Sequence, residues 1–180
     1  MKRNLYALYF KRAIDLTFGT LMLLGIMAIF PITLLMMLLV RLDSPQETII
    51  FSQERIGKNC LPFTIYKLRS MRFGKQISLL GKILRRTKID EYPQFINLLK
   101  GDMSLIGPRA MQKIRLDDYF TAAEQKRRLV VRPGLIPSAP RRKTGEAKVK
   151  IHDLSYIPSL KNDIMILLTV LPTYFLRDHG

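Results

Sequence analysis

The chain has 180 residues, 48% of them hydrophobic, with a formal net charge of +16 at pH 7 and a pI near 10.3. That length fits one domain, and a single cysteine, Cys60, excludes an intrachain disulfide and a cysteine-built zinc site. Residues 50–150 hold 23 Lys and Arg against 8 Asp and Glu, so the positive field lies in the middle and favours phosphate-bearing partners: nucleic acid, anionic lipid or a charged substrate.

In chain order, Leu16 to Val40 is a run of 25 residues without a charge. About 20 apolar residues span a bilayer core. The run is too long for a signal peptide and no small-x-small cleavage site follows it, so it is predicted to stay in the protein and enter a membrane. Lys2, Arg3, Lys11 and Arg12 precede it; Arg41 and the basic middle follow. Positive flanks favour the cytoplasm, and here both flanks are positive. Pro31 falls mid-block, where it removes a backbone hydrogen bond and clashes with the preceding turn. On these residues alone two readings stay open: a kinked spanning helix, or a helix–break–helix hairpin over 12–41 that dips in and returns. Thr33 is placed to bond a carbonyl at such a break.

Thr48 to Ser52 and Phe63 to Leu68 read as short strands around a turn at residues 53–59. Ile77, Leu80, Ile83 and Leu84 recur at helical spacing among Lys75, Lys82, Arg85, Arg86 and Lys88, a basic amphipathic helix suited to an anionic membrane surface. Asp90 to Lys100 reads as a second helix stopped by Gly101, and Asp117 to Leu129 as a third. Gly101 to Ser104 and Gly107 to Arg109 read as turns, and residues 137–150 as irregular. An apolar helix from Ile164 to Leu176, interrupted by Pro172, follows. The expected fold is α+β and mainly α: a single domain over 1–180, with a membrane hairpin at 12–41 and a catalytic region at 42–180 carrying interfacial amphipathic helices.

Asp90 and Glu91 are adjacent at a predicted helix start, where free N–H groups and a partial positive charge suit phosphate. Arg85, Arg86 and Lys88 precede them and Arg109 follows. Two carboxylates in cationic surroundings suit a divalent metal and a diphosphate together, and Mg²⁺ is the natural ion. Taken alone, the same residues also read as a helix cap, since Thr87-Lys88-Ile89-Asp90 matches a capping pattern.

The ordered set is more specific. It runs Lys11-Arg12-x-x-Asp15, Phe51-x-Gln53-x-Arg55-x-Gly57, Phe63-x-x-Tyr66-Lys67-x-Arg69-Ser70-Met71, Leu84-Arg85-Arg86-Thr87-x-x-Asp90-Glu91-x-Pro93-Gln94, Lys100 through Arg109, then Arg132-Pro133-Gly134, Asp153-x-x-Tyr156 and Asp163. This pattern resembles the bacterial sugar transferases, the monotopic phosphoglycosyl transferases, from about Lys11 onward.

The resemblance implies transfer of a phosphosugar from a UDP-sugar to polyprenol phosphate with release of UMP, at the cytoplasmic face of the inner membrane. It implies a re-entrant helix broken at Pro31. It also implies a catalytic dyad of Asp90 and Glu91, a covalent phosphosugar on Asp90, Mg²⁺ held by the dyad, and phosphate contacts from Arg85, Arg109 and Lys67. Ala110 stands where the family usually has proline, Lys88 where Ser or Thr is usual, and the run after Gly134 differs. Those departures leave the dyad intact and fall where sugar recognition is expected. Membrane lipids are expected partners, and a homodimer is left open.

The rival from another class is a non-enzymatic membrane-surface protein that binds anionic lipid through its basic middle. A nucleic-acid module is disfavoured, because no recognisable binding motif accompanies the charge.

Overall fold

The apolar block folds as two helices, α1 (Lys11–Ala28) and α2 (Phe30–Asp43), which meet at a bend of 82°. Pro31 is the second residue of α2, where helical φ is already set and the missing N–H is least costly. In one continuous helix the same proline would leave the Met27 carbonyl without its donor, so the break falls just upstream. Thr33 Oγ1 donates to the Phe30 carbonyl at 2.9 Å, as its position predicts. Among the described residues no single helix is long and apolar enough to cross a membrane; the bent pair qualifies together on length and composition. The computed structural model describes residues 5–28, 30–72, 76–138 and 146–175. Predicted features at Lys2, Arg3, Lys75, residues 139–145 and Leu176 lie outside them.

The start of α1 is stapled to the rest of the chain by the Lys11-Arg12-x-x-Asp15 motif. Lys11 Nζ meets Asp163 Oδ2 at 2.6 Å. Arg12 donates to the Leu98 and Leu99 carbonyls at 2.6 and 2.7 Å, at the end of α4 (Phe95–Lys100), where the Leu98 carbonyl also accepts from the Gly101 amide. Asp15 Oδ1 accepts from Ser104 Oγ at 2.9 Å and from the Leu105 amide at 2.7 Å. A Cβ on Gly19 would lie 3.0 Å from Leu99 Cδ2, so glycine there lets α1 and α4 approach closely.

β1 (Ile50–Ile56) and β2 (Pro62–Leu68) form an antiparallel hairpin in the register Phe51↔Lys67 and Arg55↔Phe63. β1 runs four residues beyond the predicted strand. The reversal is confined to residues 57–61, where Asn59 and Cys60 take left-handed backbone, with φ 57° and 62°. Ile65 of β2 packs with Leu98 and Met103 in one core, against which Met22 of α1 rests. Burying side chains such as Leu98 and Leu84 contributes about 2 kcal/mol each.

The expected turns at 101–104 and 107–109 enclose a strand instead. β3 (Ser104–Gly107) pairs in parallel with β4 (Gly134–Pro137), of which only Pro137 falls in the run 137–150 expected to be irregular. A Cβ on Gly107 would sit 2.4 Å from the Arg132 carbonyl, and one on Gly134 2.1 Å from the Gly107 amide nitrogen. Only two glycines let these strands come together. The predicted helix Asp117–Leu129 is two helices, α5 (Lys113–Tyr119) and α6 (Ala122–Arg128). Phe120 is extended between them with its ring buried, and Thr121 caps α6 in a reciprocal box with Glu124. α7 (Glu146–Ser155) and α8 (Leu160–Phe175) complete the chain; α7 begins within the stretch expected to be irregular, and α8 continues through Pro172.

Candidate active site

α3 (Leu79–Thr87) delivers the dyad. Ser78 Oγ caps it by accepting from the Gly81 amide at 3.0 Å. Thr87 Oγ1 bonds back to the Ile83 carbonyl at 2.9 Å, and the turn that carries Asp90 has no side-chain cap, so the capping pattern read at Thr87 to Asp90 is not formed. A Cβ on Gly81 would collide with the Ser70 carbonyl at 2.1 Å, so glycine seats α3 against the segment after β2. The helix stops at Lys88, whose backbone is left-handed at φ 61°. A 3₁₀ turn, Ile89–Gln94, follows and carries Asp90 and Glu91 in its first turn. Pro93 has no N–H to donate to the Ile89 carbonyl, so the α-helix begins only at Phe95, five residues after the predicted start.

Asp90 is 7% exposed, and its Oδ1 has no hydrogen-bond partner. Burial, and then the adjacent Glu91 charge, push its carboxyl up to about 6 against the opposing pull of Lys67, Lys88 and Arg85. Glu91 Oε1 pairs with Lys67 Nζ at 3.0 Å, across the contact between β2 and the 3₁₀ turn. Arg85 Nε donates to Ser70 Oγ at 2.9 Å, which fixes its guanidinium beside the turn.

The structure therefore brings Lys67 and Arg85 to the dyad and adds Lys88. In the sequence Lys88 stood among the cations that precede the dyad, but not among the phosphate contacts that the resemblance implies. Arg109 follows β3, bridges to Gly134, and its charge is felt at Arg55.

Sequence reasoning missed what supports Arg109. The buried Arg128 guanidinium donates to the Arg109 carbonyl and pairs with Asp153 Oδ2 at 2.7 Å. Asp153 Oδ1 accepts from Ser138 Oγ at 3.0 Å, and the Ser138 amide donates to the Gly107 carbonyl at 2.8 Å. The basic run Lys126-Arg127-Arg128 gave no sign that its last member is internal. A buried, satisfied ion pair holds the Gly107-Pro108-Arg109 turn from behind.

No group of three or more His, Cys, Asp or Glu side chains among the described residues could hold a metal unaided. The dyad nevertheless fits Mg²⁺, which takes one or two carboxylates and completes its shell with substrate phosphates and water. The unpartnered Asp90 Oδ1 is the acceptor such an ion needs.

The sequence compares with known proteins over nearly its whole length. A UDP-N-acetylgalactosamine-undecaprenyl-phosphate N-acetylgalactosaminephosphotransferase of Aeromonas hydrophila is 34% identical over 187 residues, covering 92% of this chain and 43% of that protein. A UDP-glucose:undecaprenyl-phosphate glucose-1-phosphate transferase of Caulobacter vibrioides is 35% identical, covering 94% of this chain and 71% of its own length. The exopolysaccharide production protein PSS of Rhizobium leguminosarum is 33% identical, covering 96% and 98%. The chain thus spans less than half of the Aeromonas relative. Residues 6–177 match the family described as bacterial sugar transferase, and the chain belongs to that family.

Proposed function

We propose that this protein transfers a sugar-1-phosphate from a UDP-sugar to polyprenol phosphate, with Asp90 as the nucleophile. The observation that carries the reading is the Asp90 carboxylate: buried, unpartnered at Oδ1 and faced by cations, in a chain whose relatives are named for this transfer.

An Asp90 oxygen attacks the sugar-bearing phosphorus. The bond from that phosphorus to the bridging oxygen breaks, and UMP leaves with the oxygen and its electron pair. A phosphate oxygen of polyprenol phosphate then attacks the same phosphorus, freeing Asp90 and forming a polyprenyl diphosphosugar. A carboxyl raised to about 6 is more basic than an ordinary one and still about nine-tenths ionised at pH 7. Lys67, Arg85 and Lys88 offset the charge that builds on the diphosphate. Asp90 and Glu91 would hold Mg²⁺ when it is bound, and the ion would supply further neutralisation of the diphosphate charge.

The hairpin over 12–41 enters the inner membrane from the cytoplasmic face and returns, leaving residues 42–180 in the cytoplasm beside both substrates. Exposed Leu21, Leu24, Met27, Phe30, Leu34, Leu35 and Leu38 on its two arms support this placement, since so large an apolar surface is not left in water.

The test is UMP release by the purified chain in lipid particles, with Mg²⁺, polyprenol phosphate and a panel of UDP-sugars. Release with one donor, lost in Asp90→Asn, is the expected result. Undiminished release by Asp90→Asn would remove Asp90 as the nucleophile, and a purely lipid-binding role predicts no release from any donor.

A further inference from the structure

The two carboxylates of the dyad are held differently. Glu91 Oε1 has a cation on it: Lys67 Nζ reaches it at 3.0 Å from β2, and the two side chains are only 18% and 26% exposed. Asp90 Oδ1 is sealed from solvent with no hydrogen-bond partner. The Lys67 charge is felt at Asp90 as well. One ammonium therefore offsets part of the charge of both carboxylates, which is also what a divalent ion on the pair would do.

An ion and Lys67 compete for the same oxygen. Mg²⁺ binds a carboxylate oxygen at about 2.1 Å. An ion at that distance from Glu91 Oε1 and an ammonium 3.0 Å from it would be at most about 5 Å apart. Solvent and salt screen such repulsion little in a partly buried pair. Lys67 is able to yield. Its backbone is fixed opposite Phe51 in the hairpin register, while a flexible four-carbon stem carries the ammonium. A guanidinium would yield less readily, because its planar fork can hold a carboxylate through two parallel bonds.

We propose that Lys67 is the counter-ion of Glu91 until a divalent cation binds the dyad, and that the cation displaces it and frees its ammonium for the phosphates of the donor. This exchange rests on the reading of the dyad as a metal site. It gives one residue two effects of opposite sign: Lys67 opposes the metal and favours the nucleotide.

The full chain in nanodiscs of phosphatidylcholine, whose headgroups carry no net charge, is titrated with Mn²⁺ in the absence of nucleotide. Mn²⁺ stands in for Mg²⁺ because it too favours carboxylate oxygen, and the unbound ion is read by electron paramagnetic resonance. Lys67→Met keeps the stem and removes the charge. It is expected to bind Mn²⁺ about 10-fold more tightly than the parent, the size of one partly screened charge contact. Lys67→Arg, which keeps the pair where Lys67→Met loses it, is expected to bind Mn²⁺ no more tightly than the parent. In a Glu91→Gln background the gain from Lys67→Met should nearly vanish, because the contested carboxylate is gone. At saturating Mn²⁺, UMP binding should weaken in Lys67→Met by a similar factor.

A lysine that serves only the donor phosphates would weaken UMP binding and leave Mn²⁺ affinity unchanged, and that result overturns the proposal. Weaker Mn²⁺ binding by Lys67→Met overturns it too; in both cases the metal reading stands if Asp90→Asn and Glu91→Gln lose the ion. If those two variants hold Mn²⁺ as the parent does, the dyad is not the ion's site, and the metal reading falls together with the exchange.

Discussion

At the scale of single residues, Asp90 combines reactivity with a cost to folding. Its carboxyl titrates near 6 in the fold and near 4 in an unfolded chain, so the folded state binds its proton more tightly. The contribution to stability is therefore unfavourable at pH 7, shrinks as pH falls through about 6, and is gone below the unfolded value. A shift of about two units corresponds to about 3 kcal/mol. Two outcomes follow from this one cause. Turnover should fall tenfold per pH unit below about 6, measured as kcat/KM for the donor, because protonated Asp90 is not a nucleophile. Asp90→Asn should be more stable to denaturant than the parent at pH 7.5, by about 1–3 kcal/mol, and this gap should close towards pH 4. A flat pH profile between 5 and 7 would remove the link. The dyad itself was legible in the sequence because its neighbours stand in a long ordered pattern. Its burial was not, because it depends on β2 folding over the 3₁₀ turn from more than twenty residues away.

At the scale of elements, the strands and helices the sequence hid share a reason. β3 and β4 are four residues each with none of them exposed, so neither shows the apolar–polar alternation in sequence that marks a half-exposed strand. Their glycines and prolines resemble turn punctuation, while in the fold Gly107 and Gly134 permit backbone contact. The division between α5 and α6 was readable: Thr121-x-x-Glu124 is a capping box, overlooked because the apolar spacing continues across it. Gly107→Ala tests the role assigned to the parallel pair. The added Cβ must displace the Arg132 carbonyl 2.4 Å away, and the Gly134 amide lies 2.9 Å away. It should cost about 3 kcal/mol in denaturant unfolding. Because Arg109 follows directly, donor affinity should fall even at temperatures where the variant remains folded. Unaltered stability would mean that the two strands are held less closely than described.

At the scale of the whole molecule, the open question of the sequence was whether Leu16 to Val40 crosses the membrane or returns. Two ion pairs bear on it. Lys11 at the start of α1 is joined to Asp163 of α8, and Asp43 at the end of α2 is joined to Arg72 beyond the hairpin of strands. Both ends of the apolar pair are thus bonded to the same basic body, which supports the proposed return of the pair to one side of a bilayer. Arm length agrees. The 18 residues of α1 rise about 27 Å and the 14 of α2 about 21 Å, each short of a hydrocarbon core of about 30 Å. The first turns of α1 are also held back by Arg12, Asp15 and Gly19. Pro31 is the residue that prevents the arms from merging. Replacing it with leucine would give 25 uncharged residues without a proline, about 37 Å of helix and enough to span. A cysteine added before Met1 in a Cys60→Ser background reports the topology through a membrane-impermeant thiol reagent applied to spheroplasts. In the parent it should stay unlabelled until the cells are opened. In Pro31→Leu a fraction should be labelled from outside, with transferase activity lost in proportion, because Lys11 cannot then reach Asp163. Labelling of the parent from outside would mean that the chain crosses and that the Lys11–Asp163 bond does not form in the membrane.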